Sequence, residues 1–204
     1  MIVLADNDIV HKLACCELLQ ELLQWLKVPP NEVWILPSLQ YVLRKKLKTN
    51  APALACLETF LKSTQAIPSA ETEHLERFSA LDVGERQMLA VFVDDKFDCS
   101  QLVTGDKRAL KLIAALSATD ARLYQQLDGC VECLESIMLG LIDHFGFDYI
   151  SAKVVGGIGV DGVFRLAFGQ GRDQEHALGA LNSYFAALRV EAAFVGRTVD
   201  FIMR

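Results

Sequence analysis

Short apolar runs alternate along this chain with stretches whose apolar residues recur every three to four positions. The first run, Ile2 to Ala5, is rich in branched aliphatics and predicts a buried strand. Ile9, Leu13, Cys16, Leu19, Leu23 and Leu26 then keep helical spacing, which predicts one helix from Ile9 to Lys27. Pro29 and Pro30 stop it. Glu32 to Leu36 predicts a second strand, and Pro37 suits the first turn of a helix running to about Lys48. Helices are expected over Ala53–Thr64, Glu71–Ala80 and Asp82 to about Asp95, followed by a strand at Gln101–Thr104. Further helices are expected over Asp106–Leu116 and Asp120–Gln126, then a strand at Cys130–Glu132 and a helix to about His144. Strands alternating with helices imply an α/β fold: a parallel sheet of about four to five strands flanked by helices.

That pattern ends near residue 148, so residues 1–148 read as the main domain. Residues 149–204 read as an extension packed on it or on a partner subunit. Within the extension, Lys153 to Gly171 is rich in Gly and branched residues and carries an Asp161-Gly162 turn signal, which predicts a hairpin. Asp173 is a plausible cap for a helix to about Phe194, whose apolar stripe includes Leu178, Leu181, Phe185 and Leu188.

Composition narrows the function classes. Hydrophobic residues make up 52% of 204 residues and charged residues 23%, which excludes a disordered chain. The formal charge of −6 argues against coating nucleic acid by bulk charge, but not against an enzyme with a local site. The longest stretch free of Asp, Glu, Lys and Arg is His176 to Leu188, too short to span a membrane, so no membrane partner is expected. The opening MIVLADNDIV has no basic segment before Asp6, so a cytoplasmic location is expected. The six cysteines are expected as free thiols, since the lone Cys130-x-x-Cys133 pair lacks a second pair to complete a zinc site.

The candidate chemistry lies in carboxylates. Function in an open parallel sheet gathers beyond the carboxyl ends of its strands. Asp6 follows the first strand and Asp106 follows the Gln101–Thr104 strand, while Glu85 lies in the first turn of a helix. If the strands are neighbours, the three acids face one crevice, where only a cation keeps them all ionised. Hard ions such as Mg²⁺ or Mn²⁺ favour such oxygen donors. Each acid also has a purely structural reading. Asp6 or Asp8 suits the cap of the first helix, Asp82 and Glu85 form a D-x-x-E capping box, and Asp106 suits the cap of its own helix.

Three motifs in order resemble the PIN-domain ribonucleases: Val3-Leu4-Ala5-Asp6-Asn7-Asp8-Ile9, Leu81-Asp82-Val83-Gly84-Glu85, and Leu102-Val103-Thr104-Gly105-Asp106-Lys107-Arg108-Ala109. The resemblance spans roughly residues 1–145 and implies a PIN-like fold. It also implies an Mg²⁺- or Mn²⁺-dependent endoribonuclease that hydrolyses single-stranded RNA, often as a homodimer. It carries metal-ligand and catalytic roles onto Asp6, Glu85 and Asp106. Gly105 stands where the family often has another Asp, and Asp8 stands where Asn is usual, which makes Asp8 a candidate replacement ligand. Thr104 is placed to hydrogen-bond a ligating carboxylate or a water.

Arg44, Lys45 and Lys46, with Lys107 and Arg108 beside Asp106, are candidate RNA-phosphate contacts, although a solvated helix face is the reading their pattern favours. Two other functions remain open. One is a PIN-fold binding module without activity. The other is a haloacid dehalogenase-like phosphatase, since Asp6-Asn7-Asp8-Ile9-Val10 also fits D-x-D-x-[TV], although Leu110 stands where that family's second downstream acid would be. Gly157, Gly159 and Gly162 match G-x-G-x-x-G, read here as part of the hairpin rather than a dinucleotide loop.

Overall fold

A computed structural model describes residues 2–196. The sheet is built from β1 (Ile2–Ala5), β2 (Val33–Ile35), β3 (Gln65–Ala66), β4 (Cys99–Val103) and β5 (Val131–Glu132). All paired strands run parallel, in the order β3-β2-β1-β4-β5, and both edge strands are two residues long. The fold is therefore α/β. After β1 the chain builds outward through β2 and β3, then crosses back so that β4 pairs with the other side of β1. That reversal opens a crevice at the carboxyl ends of β1 and β4, the usual position of a site in an open parallel sheet.

The helices between β1 and β4 are α1 (Asn7–Cys15), α2 (Leu19–Leu26), α3 (Leu39–Leu47), α4 (Ala51–Leu61), α5 (Thr72–Arg77) and α6 (Val83–Phe92). The single helix expected over Ile9–Lys27 is two. The break follows from backbone bonding at the end of α1. Leu18 N–H reaches Leu13 O at 2.9 Å and Glu17 N–H reaches Ala14 O at 3.0 Å, with Glu17 in the left-handed region at φ 54°. This closure seals the last carbonyls of α1 and buries both Leu13 and Leu18. Apolar spacing continues across the break because both helices face the same core. The strand β3 has no apolar pattern, as both its residues are exposed. It exists through pairing with β2 at Trp34 and Ile35.

Beyond β4 come α7 (Lys107–Ser117), α8 (Ala121–Leu127), α9 (Leu134–Phe145), α10 (Phe147–Val154), α11 (Gly162–Phe168) and α12 (Gln174–Glu191). The expected hairpin over Lys153–Gly171 is absent; that segment is helical. Asp161 caps α11 by accepting from Val163 N–H at 2.7 Å, so Asp161-Gly162 starts a helix instead of turning a strand. Of the preceding glycines, Gly157 serves close packing. A Cβ on Gly157 would meet Cys16 Sγ at 2.5 Å, so this turn lies directly against the end of α1. The G-x-G-x-x-G stretch thus does lead into a helix, but it follows helix α10 and not a strand, and the dinucleotide-binding context is still missing.

The expected boundary at residues 148 and 149 falls inside α10. The α12 helix buries Ala177, Leu181, Phe185 and Leu188 within the chain, packing on α11, α9 and α7. Its apolar stripe is therefore covered without a second subunit. No helix among the described residues is long and apolar enough to cross a membrane. All six cysteines are free. Burial pushes the Cys133 thiol up to about 12, an inert state rather than a redox-active one.

The core tolerates no addition where α9 meets α2. Gly140 is buried, and a Cβ there would lie 2.2 Å from the Trp25 ring. Gly→Ala within an exposed helix ordinarily stabilises by up to about 1 kcal/mol. Here Gly140→Ala is expected to destabilise by about 1–3 kcal/mol through overpacking, measured by urea unfolding.

Candidate acidic active site

The carboxylate of Asp6 sits where β1 gives way to α1. Its Oδ1 accepts from Ile9 N–H at 2.8 Å, which makes Asp6 the N-cap of α1. Its Oδ2 accepts from the Thr104 hydroxyl and from Gly105 N–H, the latter at 3.1 Å. Thr104 Oγ1 also accepts from Asp106 N–H at 3.2 Å. One buried threonine thereby ties the first acid to the third.

Asp106 caps α7, accepting from Arg108 N–H at 2.8 Å and Ala109 N–H at 3.1 Å. Asp82 and Glu85 form a reciprocal capping box at the start of α6, with Glu85 N–H to Asp82 Oδ1 at 2.9 Å and Asp82 N–H to Glu85 Oε2 at 3.3 Å. The structural reading of each acid is therefore correct. It is also incomplete, because Asp6, Asp8, Asp82, Glu85 and Asp106 all line one cleft of 590 Å³. The Glu85 carboxyl lies within hydrogen-bonding reach of Asp106.

This crowding shows in proton affinity. Burial, then the negative charges of Asp82 and Asp106, push the Glu85 carboxyl up to about 7. Burial, with the Asp8 charge adding to it, lifts Asp6 to about 6 even though three hydrogen bonds favour its anion. Near neutral pH the cleft therefore shares protons among its acids unless a cation replaces them.

Asp8 has a split role. Its Oδ2 pairs with Lys12 Nζ at 2.6 Å, and Lys12 also pairs with Asp161 Oδ2 at 2.7 Å. Lys12 is largely buried, and burial opposes its charge, yet these two carboxylates hold its pKa above the ordinary lysine value. The absent side chain at Gly105 is what gives Asp8 its place. A Cβ at position 105 would lie 2.4 Å from Asp8 Oδ2. A side chain at 105 would force the Asp8 carboxylate to shift.

The basic residues are arranged differently from the acids. Arg44 is held by Glu58 at 2.6 and 2.9 Å and by Gln40 at 3.1 Å. Lys107 pairs with the fully buried Glu135 at 2.6 Å and lies over the Tyr184 ring. Lys45, Lys46 and Arg108 are exposed. None of the five lines the acidic cleft. Residues that sequence reasoning passed over do line it: Asn7, Leu36, Pro37, Ser38 and Gln87. Asn7 stands out because its buried Oδ1 has no hydrogen-bond partner. Its position directly after Asp6 was the available cue.

Among the described residues, the one group whose potential ligand atoms come within 4.8 Å of one another is elsewhere: Glu71, His74 and Asp94. There the Lys96 ammonium already engages Glu71, and the Lys96 N–H donates to Asp94 Oδ1 at 3.0 Å. Glu71 and Asp94 of that group thus already have partners within the protein. The cleft acids are spread more widely because Asp6 turns inward toward Thr104 and Gly105. In comparisons with protein-family models, curated proteins and solved structures, nothing matches this chain.

The raised carboxyls generate a pH dependence whose sign follows directly. Asp6 rises from 3.8 to about 6 and Glu85 from 4.5 to about 7 on folding. The folded state then binds more protons than the unfolded state, so this stability is present at low pH and is lost between about pH 4 and pH 7. In metal-free buffer, Asp6→Asn is expected to lose less stability across that window than the wild type, by on the order of 3 kcal/mol at most. Urea unfolding at several pH values checks it. At low pH the variant is expected to be the less stable, because an amide nitrogen at the Oδ2 position cannot accept from Gly105 N–H.

Proposed function

We propose that this chain is a divalent-metal-dependent nuclease of PIN-like architecture that hydrolyses phosphodiester bonds of single-stranded RNA, with Asp6, Glu85 and Asp106 as its catalytic acids. The observation that carries the reading is convergence. Three acids from segments far apart in sequence, two of them helix caps and Glu85 the partner of a third cap in its capping box, line one cleft at the carboxyl ends of β1 and β4. Capping alone requires no such meeting. Isolated caps would be cheaper placed apart, because like charges in a half-buried cleft raise each other's pKa.

The donor set fits Mg²⁺ or Mn²⁺. It is all oxygen and holds neither sulfur nor imidazole, as hard cations require. Asn7 also lines this cleft. Asp6 has three of its roughly four acceptor sites filled by the protein, which leaves one free and the carboxylate fixed in orientation. Asp106 and Glu85 line the same cleft, and Asp8 stands beside Gly105, where it would replace the acid that the PIN family often carries at position 105. When bound, such an ion supplies an activated water and steadies a leaving oxygen at neutral pH. The protein's own part is to orient the carboxylates through Thr104 and the helix N-termini, and to admit an extended strand through an open cleft. Lys45, Lys46 and Arg108 remain available for phosphates outside the cleft.

The test pairs binding with activity. Mn²⁺ is expected to raise the melting temperature of the wild type, and more at pH 8 than at pH 5, because the ion replaces protons on Asp6 and Glu85. Glu85→Gln is expected to reduce Mn²⁺-dependent cleavage of a single-stranded RNA by at least about 100-fold. Mn²⁺ stabilisation without any cleavage of RNA favours an inactive binding module. Hydrolysis of small phosphomonoesters in preference to RNA favours the phosphatase.

A further inference from the structure

A second pocket of 400 Å³ adjoins the acidic cleft, and the two share Val83 and Gln87 in their walls. Leu75 and Ala70, both only partly buried, give it an apolar floor, and Val83, 72% exposed, stands between it and the acids. Arg86 lines this pocket from the first turns of α6, one residue past Glu85. Among the described residues its guanidinium makes no ion pair, side-chain hydrogen bond or ring contact. Several other arginines here are engaged, as with Arg44, Arg77 and Arg122 on carboxylates. The exposed Glu76 carboxylate on the same rim does not pair with it.

An acidic cleft that takes a polyanion needs a cation outside the acids to hold the next phosphate. The apolar floor beside an unpaired guanidinium matches one nucleotide, with a flat base against Leu75 and Val83 and a phosphate on Arg86. We propose that this pocket is a subsite for the nucleotide flanking the scissile phosphodiester, with Arg86 binding that nucleotide's backbone phosphate. The inference rests on the nuclease reading for the identity of the strand. The shared wall lets one strand occupy both pockets.

The test compares a substrate that spans both pockets with one that fills only the cleft. Arg86→Ala is expected to lower the ratio of kcat/KM for a single-stranded RNA to that for bis(p-nitrophenyl) phosphate about tenfold, chiefly through KM. Arg86→Lys, which keeps the charge, is expected to recover part of that ratio. In a salt titration of fluorescein-labelled RNA binding with Mn²⁺ omitted, Arg86→Ala is expected to bind about tenfold more weakly, with a log–log slope reduced by about one. A ratio and a salt slope both equal to wild type overturn the subsite. If the wild type hydrolyses neither substrate, the nuclease reading fails and the binding titration decides alone. Weaker binding with the reduced slope retains the subsite for a binding module. Unchanged binding, or no RNA binding by the wild type, overturns it.

Discussion

The carboxylate of Asp6 is the point on which the site depends. It accepts from Ile9 N–H, from the Thr104 hydroxyl and from Gly105 N–H, and so joins the end of β1, the start of α1 and the end of β4. An anion this deeply buried is unfavourable unless its hydrogen bonds are made by groups already in place. The parallel pairing of β1 with β4 puts them there, with Ala5 opposite Val103. The crossover that brings β4 beside β1 is therefore what makes Asp6 tolerable, and Asp6 in turn fixes how the segment Thr104-Gly105-Asp106 leaves the sheet.

The same geometry explains how several acids coexist in one cleft. Each of Asp6, Asp82 and Asp106 lies at a helix N-terminus, where unpaired backbone N–H groups and the helix dipole favour negative charge. That compensation is local and partial. It keeps the acids folded in place, yet Asp6 and Glu85 still hold protons well above the usual carboxylate range. A cleft assembled from helix caps is thus both structurally justified and electrostatically unfinished.

The C-terminal segment is part of this arrangement. Asp161 caps α11 and, with its other oxygen, holds Lys12, whose ammonium reaches Asp8 at the edge of the cleft. Lys153 similarly reaches back to Glu21 at 2.7 Å and to the Glu17 carbonyl at 2.8 Å. These contacts run between residues well over a hundred positions apart. They place the helical segment beyond α10 in the same structure that positions the acids, and not beside it as an appendage.

Apolar periodicity and capping chemistry are local, so they were legible directly: β1, α6, α7 and α12 lie close to where spacing and cap residues put them. The acids themselves were legible too, since Asp6, Glu85 and Asp106 each sit at a strand end or helix start that the pattern marks. What spacing could not carry was any feature defined by a distant partner. The left-handed Glu17 splits a continuous apolar stripe because Leu18 buries against Leu13, and β3 exists only through its pairing to β2. The glycine-rich segment became helix because Gly157 packs on Cys16 and Asp161 found a helix to cap. The engagement of Arg44 and Lys107 by Glu58 and Glu135, the corner that Gly105 leaves to Asp8, and the meeting of three caps in one cleft were decided by tertiary structure alone. Residue type and spacing determine which groups a segment offers; only the packed sheet determines which of them face each other.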